Sequence, residues 1–295
     1  MSIRALKTLL SIAKHGTFAR AADDVGLTQS AVSLHVKSLE SEFRASLFDR
    51  SRRQPMLTEA GELVVARARQ IVAMYENISA EVATDGVLAG RLRVGAIQTA
   101  LSGPLPGALA RLRESAPRLR IHVSAGMSAE LAVLVSEGEL DAAIATRPVK
   151  PFPASLIATR LYSDSFWVIA PPGAKGQDLS HLVSAYPFIR FDPRAWAGRM
   201  IETELRKRGL QIREEMVLDS QEAIIQMVSK GLGVAIVPIA NEEATFLEEC
   251  VRLPFGEPQL SREVVLLERE DRVEHKATQA LAQAIIATHQ EKLRK

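Results

Sequence analysis

Residues 17–40, TFARAADDVGLTQSAVSLHVKSLE, decide how the first part of the chain folds. Phe18, Ala21, Ala22 and Val25 recur at helical spacing and give one apolar face to a short helix that Thr17 is placed to cap. Gly26 supplies a turn, Leu27 is expected to pack inward, and Thr28 can cap a following helix. The buried stripe of that helix is Val32, Val36 and Leu39, extended by Phe43. Two short helices joined by a tight glycine turn form a helix-turn-helix unit, and the small side chains of Ala21 and Ala22 let the helices approach closely. The outward face of the second helix carries Gln29, Ser30, Ser33, Leu34 and Lys37 near its N-terminal end, the end that reaches base edges in the major groove. Gln29 can pair bidentately with adenine, Ser33 can bond a base or a phosphate, and Lys37 suits phosphate.

Working outward, Leu6, Leu9, Leu10 and Ala13 mark a preceding amphipathic helix that Gly16 ends. On the other side, residues 47–57, LFDRSRRQPML, place apolar pairs around a basic, proline-containing tip. This reads as a two-stranded wing that holds Arg50, Arg52 and Arg53 near the phosphate backbone. Charge agrees: residues 1–57 hold nine Lys/Arg against five Asp/Glu, a net +4, while the rest of the chain is −2. A basic first segment on a slightly acidic body is built to meet a polyanion.

The run 17–40, with LFDR at 47–50 and LTEAG at 57–61, resembles the signature of LysR-type transcriptional regulators. The resemblance extends over the whole chain and weakens after residue 90. It implies a regulator that binds double-stranded DNA and answers to a small-molecule effector. The family often has proline where this chain has Ser30, and arginine or another long polar residue where it has Leu34; Leu34 is suited to a thymine methyl group instead.

Thr58 is expected to cap a linker helix running to about Thr84, before Gly86 and Gly90. Val64, Ala68, Ile71, Tyr75, Ile78 and Val82 alternate spacings of four and three, a coiled-coil stripe for pairing with a second copy. The resemblance implies the same homodimer, commonly assembled further into tetramers, and a dimer calls for an interrupted near-palindromic operator. The expected domains are therefore a winged helix-turn-helix over 1–58, a dimerising linker over 59–89 and an effector domain over 90–295.

From Gly90 onward strands and helices alternate: 92–96, 119–124 and 140–145 read as strands, and 104–115 and a segment capped by Ser128 as helices. Such alternation implies a parallel sheet with helices on both faces. A second set follows, with strands at 161–170, 187–191, 216–218 and 234–237, helices at 197–208 and 220–229, and a return strand at 262–267. A terminal helix with Leu281, Ala284, Ile285 and Leu293 would pack on the first lobe. Two α/β lobes joined by two crossover strands are similar to the periplasmic-binding-protein (type 2) architecture that the family uses for effectors. Lobe I is placed at about 90–163 and 265–295, and lobe II at about 164–264.

The cleft between such lobes is the default ligand site. Three expected helix N-termini face it, at 98–102, 127–128 and 219–221, and free N–H groups there favour anions. The resemblance puts effector contacts at the same places, so Thr99, Ser102 and Ser128 are candidates, with Thr146, Arg190 and Ser220; Arg147 would add positive charge. The expected effector is a small anion, most naturally a carboxylate.

Other chemistry finds no support in the chain. Gly231 and Gly233 lack a third glycine and precede a strand; there is no P-loop and no Gly-x-Ser-x-Gly elbow. The six histidines, His15, His35, His122, His181, His275 and His289, lack metal-ligand spacing, and the single Cys250 allows no intrachain disulfide. No catalytic role, metal or cofactor is expected. No run approaches the roughly 18 apolar residues that span a membrane, and residues 1–8 do not read as an export signal, so a cytoplasmic protein is expected. The alternatives are an enzyme or solute-binding receptor with an accessory DNA-binding segment, or an architectural nucleoid protein. A receptor would need export, an enzyme a nucleophile–base set, and a nucleoid protein a stronger basic charge.

Overall fold

The computed structural model describes residues 2–49, 55–81, 88–148, 153–174, 178–239, 250–272 and 275–292, with backbone alone at 76, 77, 79–81, 272 and 292. Arg50, Arg52, Arg53, Val82, Thr84, Gly86 and Leu293 lie outside the described residues. The chain divides into two compact units, an N-terminal one over 1–91 with 137–139 and a C-terminal one over 92–136 and 140–295.

The N-terminal unit holds helices α1 (Ile3–His15), α2 (Phe18–Val25), α3 (Gln29–Phe43) and α4 (Glu59–Glu81), with strands β1 (Phe48–Asp49) and β2 (Met56–Leu57) paired antiparallel as the base of a wing. Each of the first three helices starts on a hydroxyl. Ser2, Thr17 and Thr28 accept from the N–H of Ala5, Arg20 and Ala31 at 3.1, 3.3 and 3.3 Å, and Thr58 accepts from Gly61 at 3.0 Å at the start of α4. Such caps satisfy donors that the first helical turn leaves unpaired. The left-handed Gly16 and Gly26, with φ of 70° and 66°, end α1 and α2. Leu6, Leu9, Ile12, Ala21, Ala22, Val32, Val36 and Leu39 are buried together, joined by Leu47, Phe48 and, from α4, Val65, Ala68 and Val72.

Two expected core positions are corrected. Leu27 and Phe43 are each 40% exposed. Leu27 follows the left-handed Gly26, and its N–H closes the end of α2 on the Ala22 carbonyl at 2.9 Å, which keeps it at the rim. Phe43 lies in the last turn of α3, beyond the final core layer at Leu39.

The C-terminal unit is built on a nine-stranded mixed sheet. Its strands are β3 (Ala89–Ala96), β4 (Arg118–Ala125), β5 (Ala142–Thr146), β6 (Leu156–Ala170), β7 (Phe188–Phe191), β8 (Glu214–Leu218), β9 (Val234–Ile239), β10 (Val251–Pro254) and β11 (Ser261–Arg269). Its helices are α5 (Gln98–Ser102), α6 (Leu105–Ser115), α7 (Ser128–Ser136), α8 (Leu179–Ala185), α9 (Trp196–Lys207), α10 (Gln221–Ser229) and α11 (Lys276–Lys292). The order is β4-β3-β5-β11-β6-β9-β7-β8, with β10 alongside β6. Pairs β3/β5, β7/β8 and β7/β9 are parallel, as alternation predicts, but β11 runs antiparallel to β5 and β6, and β6 antiparallel to β9 and β10. The all-parallel expectation is corrected at those long strands. Helix α8 and strand β10 were not anticipated.

Strand β6 runs through two cores, and β11 begins where they meet. Leu156, Leu161 and Tyr162 of β6 and Val264–Leu267 of β11 belong to a first core with α6, α7 and α11. From Phe166 onward β6 belongs to a second core with α8, α9 and α10, and Leu260, just before β11, packs against it. The changeover falls at Asp164 and Arg262, which face each other in the antiparallel register. Among the described residues no helix is long and apolar enough to cross a membrane.

One contact ties the wing to α4. A Cβ on Gly61 would lie 2.1 Å from the Leu47 carbonyl oxygen, so only glycine fits without moving backbone. Gly61→Ala is expected to cost about 1–3 kcal/mol, as overpacking does. Gly173→Ala, where a Cβ meets nothing within 4 Å, should stay within about 0.5 kcal/mol. Thermal or denaturant melts of the two variants check the contrast; equal stabilities would refute it.

Candidate functional site

The outer face of α3 is polar and open to solvent. Its buried stripe is spent on the core, which leaves Gln29, Ser30 and Lys37 exposed, Ser33 half-buried and Leu34 65% exposed. Thr28 and Ser30 bring their hydroxyls to 3.0 Å at the N-terminal end. The helix is braced from behind: the Thr8 hydroxyl of α1 lies 2.8 Å from His35 Nδ1, and Glu40 Oε1 accepts from the Leu47 N–H at 2.9 Å. Between α1 and α2, the Ser11 hydroxyl donates to Asp24 at 2.6 Å, and this bond holds the Asp24 carboxyl below its usual range. The wing arginines Arg50, Arg52 and Arg53 fall outside the described residues.

In the C-terminal unit a cavity of about 280 Å³ lies where the two cores meet. Thr99, Ser128, Thr146 and Arg262 line it beside Ile97 and Met127, opposite Phe191, Trp196 and Asp219. At its floor Arg262 and Asp164 are an ion pair at 2.7 Å with both side chains 2% exposed. The Arg262 guanidinium also donates to the hydroxyl oxygens of Thr99 (2.7 Å) and Thr146 (3.1 Å), and the Thr146 N–H donates to Ser128 Oγ at 3.2 Å. Trp196 begins α9 yet packs with the first core, so it closes one wall. Buried charge is tolerated only when paired and hydrogen-bonded; the guanidinium meets that condition through Asp164 Oδ2 and the threonines, while Asp164 Oδ1 is buried with no hydrogen-bond partner among the described residues.

Three of the six effector candidates therefore come together: Thr99, Ser128 and Thr146. The other three do not line the cavity. Ser102 is exposed and its hydroxyl donates back to the Gln98 carbonyl at 3.2 Å, the usual fate of a serine inside a helix. Arg190 is committed to Glu214 at 2.7 Å, and Ser220 caps α10 by accepting from Ala223 at 3.3 Å, while its neighbour Asp219 lines the cavity instead. Arg147 pairs with Glu263. Helix α5 spans five residues, too few for its N-terminus to hold an anion through an aligned dipole. Arg262, Asp164, Phe191 and Trp196 were missed. The first two carried a signal: Asp164 sits in period-two register with Tyr162, Phe166 and Val168, a charge on a face otherwise apolar.

The linker residues separate in the same way. Ala68 is buried in its own domain and is withdrawn from the pairing stripe; Val64 and Ile71 lean half-buried on the same core. Tyr75 and Ile78 are 53% and 51% exposed, and Leu63 (62%) and Met74 (59%) join them. Leu63, Met74 and Ile78, spaced by eleven and four, return to one face of the helix.

Comparison with known proteins agrees with this geometry. Residues 3–62 match the family described as bacterial regulatory helix-turn-helix protein, lysR family, and residues 85–290 match the LysR substrate binding domain. A probable RuBisCO transcriptional regulator of Nostoc sp. is 31% identical over 297 residues, covering 95% of this chain and 86% of the relative. One from Cyanidium caldarium is 27% identical, covering 95% and 92%. Among solved structures, a full-length, singly substituted OxyR from Pseudomonas aeruginosa superposes with a TM-score of 0.70 at 27% identity, covering 97% of this chain and 94% of that one. Full-length LysG from Corynebacterium glutamicum with bound effector Arg gives 0.67 at 23% identity over 99% of both chains, a likeness of fold. The chain belongs to the LysR family of transcriptional regulators: it joins a helix-turn-helix DNA-binding domain to an α/β effector-binding domain.

Two substitutions on α3 separate base reading from phosphate contact. Gln29→Ala is expected to cost about 1–3 kcal/mol at one base position and to relax the preference there. Lys37→Ala should weaken binding to all sequences alike and reduce the salt dependence by about one counterion. Operator titrations at several salt concentrations check both; an unchanged base preference in Gln29→Ala would remove that residue from the reading face.

Proposed function

We propose that the chain binds an interrupted palindromic operator as a homodimer in the cytoplasm, without catalysis of its own, and that a small carboxylate held in the C-terminal cavity sets its activity. The observation that carries the effector reading is the convergence of Thr99, Ser128 and Thr146 on one cavity. Helix α7, of nine residues, begins at Ser128 on the same wall. Hydroxyl donors and a helix N-terminus together suit an anionic oxygen group. The cavity is lined from both cores, so a ligand there touches both lobes, and only a ligand that prefers one lobe arrangement over another can transmit anything. A second copy would bring a second α3 and double the base contacts, and the exposed α4 residues Leu63, Met74 and Ile78 support pairing there.

The effector reading is tested by thermal shift of the full chain with small carboxylates. Binding adds about 2.7 kcal/mol of stability at a hundredfold excess over the dissociation constant. Ser128→Ala should weaken the ligand about tenfold or more, since bonds to charged groups contribute about 1.5–3 kcal/mol, and leave operator affinity without ligand unchanged. A ligand that binds Ser128→Ala as well as the parent would place the effector elsewhere.

Assembly has its own test. Ile78→Asp puts an unpaired charge on the exposed α4 face without touching the N-terminal core, and a charge buried on pairing is costly. Sedimentation should show monomer, with operator binding reduced to half-sites. An intact dimer would take this face out of the interface.

A further inference from the structure

The donors and acceptors of the cavity floor have a fixed sense. Thr99 Oγ1 and Thr146 Oγ1 each receive an N–H from Arg262, and Ser128 Oγ receives the N–H of Thr146. All three hydroxyls are thus already acceptors, and among the described residues none of the three donates its proton. Thr99, Ser128 and Thr146 are 9%, 4% and 2% exposed, so these are buried donors on a cavity wall. A hydroxyl carries one donor, and a buried donor is costly to leave unmade. Three such donors select a group that only accepts, which is what an ionised carboxylate is.

The rest of the lining has the opposite electrostatic character. The Arg262 charge is cancelled by Asp164. The nearby Arg194 is forked onto Asp192, with Nε and Nη2 on the carboxylate at 2.9 and 2.7 Å. That leaves Glu130 and Asp219 lining the cavity with no ion-pair partner among the described residues, one contributed by α7, where its Oε2 accepts the Met127 N–H at 3.4 Å, and the other by the β8–α10 turn. Both are exposed, as groups at a mouth would be, and both lie close enough to Arg194 to act on its charge. A simple anion would gain the floor and be repelled by these two carboxylates. A ligand with a carboxylate and an ammonium group satisfies both.

Size and apolar lining narrow the class. At about 30 Å³ per water in the liquid, 280 Å³ holds a ligand of roughly ten non-hydrogen atoms. Ile97, Met127, Phe191 and Trp196 give its carbon skeleton an apolar wall. We propose that the cavity takes an amino acid, its carboxylate received by the hydroxyls of Thr99, Ser128 and Thr146 and its ammonium group directed to Asp219 and Glu130. This rests on the cavity being the effector site.

The test uses the full chain, calorimetry, and two panels. One holds the standard amino acids and the straight-chain ω-amino acids; the other holds, for each, the acid lacking the amine and the amine lacking the carboxylate. At least one amino acid should bind, and removal of either charged group should weaken it about tenfold or more. Asp219→Asn and Glu130→Gln, both at exposed positions, should weaken the amino acid while leaving the amine-free acid as tight as before or tighter, since a repelling charge is removed, and Ser128→Ala should weaken both. If amine-free acids bind as tightly as their parents, or if no amino acid binds, the two-charge ligand is refuted while the carboxylate seat still stands or falls on Ser128→Ala. If an amino acid binds but ignores Ser128→Ala and Asp219→Asn alike, its site lies elsewhere, and both this proposal and the effector site it rests on are overturned.

Discussion

The C-terminal unit turns on one buried ion pair. Arg262 and Asp164 face each other across two antiparallel strands, at the level where β6 passes from one core to the other and β11 begins. An ion pair removed from water is weak evidence for stability, because desolvation offsets most of the attraction, and well-packed apolar residues in its place are often as stable. What the pair supplies here is polarity. The carboxylate holds the guanidinium, the guanidinium occupies the lone pairs of two threonines, and the threonine hydroxyls are left as donors toward the cavity. The same carboxylate also bears on Tyr162, whose buried hydroxyl is pushed up first by desolvation and then by the Asp164 charge. A chain of this kind is only as good as its completeness, since a half-satisfied buried network is costly.

Position adds to polarity. Thr99 and Thr146 belong to elements of the first core, while Phe191, Trp196 and Asp219 come from elements that follow the crossover. A ligand seated on the floor therefore meets both lobes within one cavity. Under the proposed effector reading, the ligand's preference for one lobe arrangement is the free energy available for regulation, and a ligand indifferent to closure would regulate nothing. The DNA-binding half works by different means. There the positions are fixed by hydroxyl caps, left-handed glycines and a close-packed alanine pair, and the reading face is whatever the core does not consume.

That contrast explains how much was legible in the sequence. Helical periodicity and caps are local, so Thr17, Thr28 and Thr58 were placed with their helices, and Leu27 and Phe43 failed only because helix ends outrun the core. Charge pairs across strands are not local. Asp164 and Arg262 are 98 residues apart, and no spacing rule joins them. The two crossover strands were expected from the family resemblance, but their antiparallel pairing was not, because alternating strands and helices look parallel until the strands are seen side by side. Small hydroxyl residues divided by chance of context: Thr99, Ser128 and Thr146 reach the cavity, whereas Ser102 and Ser220 are occupied by their own helices.

The most direct test of the polarity role is to remove the pair whole. In the double variant Asp164→Leu/Arg262→Met, no charge is left buried without a partner, so melting should stay within about 1–4 kcal/mol of the parent or rise. Operator binding without ligand should persist, and ligand binding measured on the same preparation should be weakened about tenfold or more, because the Thr99 and Thr146 hydroxyls are no longer held as donors. A double variant that folds, binds DNA and retains the parent's ligand affinity would contradict the role assigned to the pair.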